Sequence, residues 1–161
     1  MLMLLGLLWG LPPVQDPAPA GSPVVHAADI ESTMERSIAN NVLDTKVKEA
    51  TVKGGIVRVG VVHRKNAEAA ALMHQELTEI YQIRIGSGTL LIGGTMENPR
   101  PVSDPPNLGP TPSFSGSQVG GAAQKVGPGD LVVVPAGTPH RFIQLDGPIS
   151  YVIYRFEPTT K

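Results

Sequence analysis

The 161-residue chain contains no cysteine, and this absence removes disulfides, zinc–thiolate sites and thiol nucleophiles together. A metal in this protein must be held by nitrogen and oxygen. Aromatic residues are scarce, at 4%, with a single tryptophan, Trp9. No charge of one sign dominates: 13 Lys and Arg stand against 14 Asp and Glu, and the basic residues are scattered. That distribution excludes a nucleic-acid groove and an anionic-membrane surface as the main business of the chain. Long apolar runs are also missing. The longest, Met1–Leu11, stops at Pro12-Pro13, well short of the roughly 20 residues a membrane-spanning helix needs.

What is abundant is punctuation. Eighteen glycines and sixteen prolines make up about a fifth of the chain, against an average usage of roughly an eighth. Such a composition disfavours a helical bundle and favours many short strands joined by turns. With 41% hydrophobic and 17% charged residues, one domain with a real core is expected.

The apolar start reads as a secretory signal, whose hydrophobic region need only be about 7–15 residues long. Small residues in Val25-His26-Ala27, followed by Ala28, mark a cleavage point after Ala27. No Lys or Arg precedes the run, so a disordered leader is the other reading of residues 1–27. The signal reading implies a periplasmic or secreted protein.

From Asp29, whose carboxylate suits a helix N-cap, Ile30, Met34 and Ile38 recur at helical spacing, and Asn40-Asn41 ends the pattern. The period then switches to two. Lys46–Val52 and Ile56–Arg64 are expected as strands around a Gly54-Gly55 turn, with an alanine-rich loop at Asn66–Leu72. Further strands are expected at Thr78–Ile85, Thr89–Ile92, Asp130–Val134, His140–Leu145 and Ser150–Phe156. Residues 93–127 hold six prolines and read as an insertion, either a lid or disordered. The expected organisation is therefore a leader (1–27), a helix and connection (28–45), and an all-β barrel or sandwich (46–161) interrupted at about 93–127.

Strict alternation along Thr78–Ile85 puts Glu79 on one face with Tyr81, Ile83 and Ile85. A carboxylate on an apolar face is costly unless something pairs with it. This is the first chemical signal in the chain. The second is a pair of spaced motifs, His74-x4-Glu79-x6-Gly86 and Gly129-x5-Pro135-x-Gly137-x2-His140-x3-Gln144. Together they resemble the two motifs of the cupin superfamily, G-x5-H-x-H-x3-4-E-x6-G and G-x5-P-x-G-x2-H-x3-N. The first departs from that pattern at Leu72, where a histidine is usual, and at Asn66, where a glycine is usual. The second departs only at Gln144.

The resemblance spans about residues 45–157 and implies a double-stranded β-helix, or jelly-roll, barrel behind the short N-terminal helix. It implies a divalent metal bound by His74, Glu79 and His140. Two imidazoles and one carboxylate with open positions suit Fe(II) first, with Mn, Ni, Cu or Zn also compatible. By alternation His63 shares a face with Val59 and Val61, which makes it a candidate fourth ligand in place of the absent histidine, or a pocket histidine. Tyr81, Phe142 and Gln144 are expected to line the pocket. Glu76, near the mouth, is a weaker acid–base candidate.

Cupins range over many chemistries, so fold alone does not choose one. A metal-dependent enzyme of small molecules is favoured, a dioxygenase first, because three protein ligands leave room for both substrate and O2. The alternatives are a non-catalytic module binding a sugar or organic acid, and an isomerase or lyase using His63 or Tyr81 as proton carrier. A small-molecule partner, no nucleic acid, no membrane span and a homodimer complete the expectation.

Overall fold

A computed structural model describes residues 23–103 and 107–159. Most of the apolar leader lies outside the described residues. Among the described residues, one helix, α1 (Ala27–Asn40), is followed by eleven strands. These are β1 (Asp44–Val52), β2 (Gly55–Arg64), β3 (Ala71–His74), β4 (Thr78–Ile85), β5 (Gly88–Ile92), β6 (Thr95–Pro101), β7 (Ser113–Val119), β8 (Ala122–Val126), β9 (Leu131–Val134), β10 (His140–Leu145) and β11 (Ile149–Pro158). They form two antiparallel sheets, a five-stranded one in the order β1-β2-β11-β4-β9 and a six-stranded one in the order β6-β7-β3-β10-β5-β8. Two sheets closed face to face around one core make a jelly roll.

The main core lies between the sheets, where Tyr81, Ile83, Tyr151 and Ile153 of the first meet Leu90 and Phe142 of the second. A second, smaller cluster forms on the outer side of the five-stranded sheet. There Met34 of α1 covers Val59, Val61 and Val152, with Ile30 and Tyr154 packed beside them. Strand β2 is therefore buried on both faces, its even residues toward the barrel interior and its odd residues toward the helix.

The helix begins earlier than its sequence implied. His26, not Asp29, is the N-cap residue, and it makes no side-chain cap bond; Asp29 falls in the first turn, where a negative charge favours the helix dipole. The C-terminal end is as expected, with Asn41 in the left-handed conformation.

Two stretches read as loops contain strands. The end of the alanine-rich segment is β3, and residues 93–127 carry β6, β7 and β8. Strands β6 and β8 are the two edges of their sheet, and most of their residues are exposed. That explains both their polarity and the tolerance of Pro99 and Pro101, since an edge strand can spare donors that a central one cannot. Strand β3 meets β10 through one residue pair, Leu72 with His140.

Candidate metal centre

Strands β3, β4 and β10 bring one side chain each to a common point. His74 ends β3, Glu79 lies at the second position of β4, and His140 opens β10. All three are buried. One ligand atom from each lies within 4.8 Å of the others. His140 Nε2 is 3.3 Å from Glu79 Oε2, and His74 Nε2 is 4.0 Å from Glu79 Oε1. A first-row metal about 2.1 Å from each donor calls for donor pairs about 3–4 Å apart, so this cluster could hold a metal ion with little adjustment.

Local sequence fixes these positions. The turn leading into β10 has Gly137 at φ +73°, a left-handed conformation that suits glycine. The amide of Gly137 donates to the His74 carbonyl at 2.7 Å, pinning the approach of His140 to the strand of its partner. Behind Glu79, the first motif closes at Gly86, with φ +78°. A Cβ there would lie 2.2 Å from the Pro148 carbonyl oxygen, so no side chain fits.

Hydrogen bonds also set the tautomers. The Ser113 hydroxyl donates to the Thr111 carbonyl, 3.2 Å away, so it accepts from His74 Nδ1–H at 2.7 Å. His140 Nδ1 is 3.0 Å from the Thr138 carbonyl, which can only accept. In the neutral rings both protons are thereby held on Nδ1, and both Nε2 lone pairs turn toward Glu79. This orientation of a ligating imidazole by its other nitrogen is what a metal site requires.

The carboxylate of Glu79 is held on its other sides. Tyr81 Oη donates to Oε2 at 2.7 Å and Arg155 Nε donates to Oε1 at 2.9 Å. Arg155 reaches past Glu79 to Asp44, bonding both of its carboxylate oxygens. Burial opposes ionisation of Glu79, yet its contact with His140 and the charge of Arg155 outweigh burial and hold its carboxyl well below the usual range. Burial and the Glu79 carboxylate push the Tyr81 phenol well up, so it stays protonated. The two histidines differ. Burial lowers His74 to about 4, with Glu79 only partly opposing it. Burial also acts against a charged His140, but the hydrogen bond and charge of Glu79 prevail and raise it.

A cavity of about 120 Å³ opens onto the three residues. Its apolar wall includes Leu43, Val62, Leu72, Leu108 and Ile153, and Arg64, Tyr81 and Tyr151 also line it. Leu72, at the position where cupins usually carry another histidine, thus adds hydrocarbon in its place. Leu108 is held in position by Arg58, which donates to its carbonyl, and by neighbouring Asn107, which donates to the Asp44 carbonyl.

The remaining sequence candidates separate. His63 does not join the cluster. It shares the helix-covered face of Val59 and Val61, and its Nδ1 lies 2.9 Å from Ser150 Oγ. Tyr81 lines the cavity. Phe142 is fully buried in the core below it, not among the lining residues. Gln144 is exposed and bonds Asp146. The register of β10 against β5 slips between Phe142 and Gln144, and such a bulge reverses the facing of the residues beyond it. Glu76 is exposed and does not line the cavity. Missed from the sequence were Arg155, Asp44, Ser113 and Arg64. Arg155 carried a readable signal: alternation from Tyr151 and Ile153 places it on the inward face of β11, where a charge needs a partner.

No protein-family model matches the chain, and no curated protein matches it. Solved structures do. A protein from Bacillus halodurans, 16% identical, is matched over 92% of this chain and 89% of its own length, with a TM-score of 0.51. A cupin superfamily protein from Desulfitobacterium hafniense, 14% identical, is matched over 71% of this chain and 76% of its own, with a TM-score of 0.42. A DMSP lyase from Ruegeria pomeroyi, 19% identical, is matched over 65% of this chain at a TM-score of 0.42, and the chain spans 40% of that lyase's length. At these identities the likeness is one of fold. With its two antiparallel sheets, its inward His, Glu and His, and its tight proline–glycine turn, the chain has a jelly-roll fold of the kind the cupin resemblance implied.

Proposed function

We propose that this protein is a metal-dependent enzyme acting on a small molecule inside the barrel, with an Fe(II) dioxygenase as the favoured activity. The observation that carries this reading is the convergence of two buried imidazole Nε2 atoms and one buried carboxylate at the wall of a partly open cavity. Two histidines and one carboxylate leave coordination positions open for substrate and O2. A bound divalent ion would supply Lewis acidity and, if it is iron, oxygen activation. The chain's own part is to position and protect. Ser113 and Thr138 fix the imidazoles, Arg155 and Tyr81 fix the carboxylate, and the apolar wall with Leu108 limits water. Elemental analysis of the purified protein beside His74→Ala and His140→Ala tests the reading. One stoichiometric ion in the parent and loss in both variants is expected; no ion and no uptake would overturn it. Oxygen consumption by the iron-loaded protein with candidate small molecules tests the oxygenase step.

A second observation favours binding without turnover. Both carboxylates that line the cavity, Glu79 and Asp44, are already engaged by Arg155, so no unpaired carboxylate is ready as a base. Ligand-induced thermal stabilisation with no product under air and metal would select this alternative. An isomerase or lyase using His63 loses support, because His63 sits outside the cavity.

We also propose export, on the apolar leader and the small residues before Ala28. Cleavage after Ala27 would remove Trp9 and leave a protein without indole fluorescence; that emission persisting in a secreted form would refute it. A homodimer is proposed on the cupin resemblance, and light scattering at micromolar concentration checks it.

A further inference from the structure

The ionised groups around the cavity do not balance once a metal is present. Asp44, Glu79, Arg64 and Arg155 line it, and Glu68 is bound to Arg64, with Oε1 3.0 Å from Nη1. Three carboxylates against two guanidiniums leave one negative charge. A dication at the His74–Glu79–His140 cluster turns that into one positive charge, since both ligating imidazoles are neutral. The Arg58–Glu49–Glu157 group does not line the cavity, and Glu49 is partly exposed. An unbalanced charge beside a largely apolar wall with little solvent to screen it is costly, and one more negative charge from outside would cancel it.

Size and wall chemistry narrow that charge's carrier. The cavity, at about 120 Å³, is far below the roughly 300–1,000 Å³ of sites for drug-sized ligands. Leu43, Val62, Leu72 and Leu108 offer hydrocarbon to part of the ligand, which an inorganic anion would waste. Arg64 is the cation on this wall that no metal ligand occupies, because Arg155 is committed to Glu79 and Asp44. Glu68 takes Nη1 of Arg64, the Tyr151 hydroxyl is a further hydrogen-bond partner, and the buried Nε has none. The rest of the planar guanidinium suits a carboxylate.

Resting on the metal reading above, we propose that the metal-loaded cavity takes a small organic monoanion, a carboxylate of only a few non-hydrogen atoms, with Arg64 as its charge partner. Sugars and neutral molecules of the same size are then poor ligands, and the carboxylate fills the open side of the metal cluster.

Cobalt(II) replaces the native ion in the test, and its visible absorption bands report ligand entry without any turnover. Glycolate is compared with glycolamide, its uncharged equivalent of nearly the same shape, and with inorganic phosphate. Saturable band shifts with glycolate, at least tenfold weaker with glycolamide or phosphate, are expected. The variant Arg64→Gln with Glu68→Gln keeps the charge count and leaves no carboxylate orphaned; it should still take up one cobalt while its glycolate affinity falls tenfold or more. Equal response to glycolate and glycolamide, preference for phosphate, or parental glycolate affinity in the double variant would each overturn the proposal. Failure of the parent to bind cobalt is a different result. It overturns the metal reading, and this inference with it.

Discussion

Arg155 stands directly opposite Glu79 in the β4–β11 register and donates its Nε–H to Oε1 at 2.9 Å. The guanidinium continues to Asp44, so one buried cation holds two carboxylates. Removing it as Arg155→Met should destabilise the metal-free protein by about 3–5 kcal/mol, because the buried Glu79 loses its guanidinium and the half-buried Asp44 its ion pair. Urea unfolding measures this loss. Added divalent metal should narrow it by giving Glu79 another positive neighbour, and an equal loss with and without metal would argue against an ion beside Glu79.

The Ser113 hydroxyl acts on the cluster only through the ring of His74. Ser113→Ala should weaken metal binding about 10–100-fold while leaving the stoichiometry at one. Competition with a chelator of known affinity reads the change. His74→Ala, by contrast, should abolish stoichiometric uptake.

In the metal-free protein the two imidazoles should titrate apart. His74 stays neutral down to about pH 4, where its ordinary value is 6.5, whereas His140 keeps its proton above 6.5. Their effects on stability have opposite signs. For His74 the unfolded chain takes the proton first, so stability falls as pH drops from about 6.5 toward 4. For His140 the contribution is complete below its unfolded value and fades as pH rises through the raised folded one. Carbon-13 NMR of the imidazole Cε1 positions resolves the two, and coincident midpoints near the ordinary value would contradict this electrostatic picture.

The bulge in β10 makes a sharp contrast between neighbours. Phe142→Ala should cost about 3–5 kcal/mol, as for other large buried aromatics, since Phe142 is fully buried. Gln144→Ala should stay within about 0.5 kcal/mol and leave metal uptake unchanged. Thermal unfolding of the pair decides it.

These cases show what the sequence could and could not carry. Strands β4 and β10 have the boundaries their alternation implied, and Glu79 was conspicuous because a charge interrupted an apolar face. His63 was harder, because β2 is apolar on both faces. Alternation groups His63 with Val59 and Val61 but cannot say that this face meets the helix. Gln144 failed for a different reason: one bulged residue changes the facing of everything after it, and nothing local announces the bulge. Strands β6 and β8 were hidden because edge strands exposed to solvent need neither apolar runs nor freedom from proline.

The seam between β3 and β10 has a mechanical consequence. One rung, Leu72 with His140, and the Gly137 amide on His74 are what join these two strands, yet each strand carries one of the two imidazoles. An ion gripped by both would add a tie between the β6-β7-β3 flap and the rest of its sheet, beside the Gln118 amide of β7 that donates to the Leu91, Gly93 and Pro139 carbonyls. Occupancy would then be legible far from the chemistry, as slower amide exchange along β3 and β7.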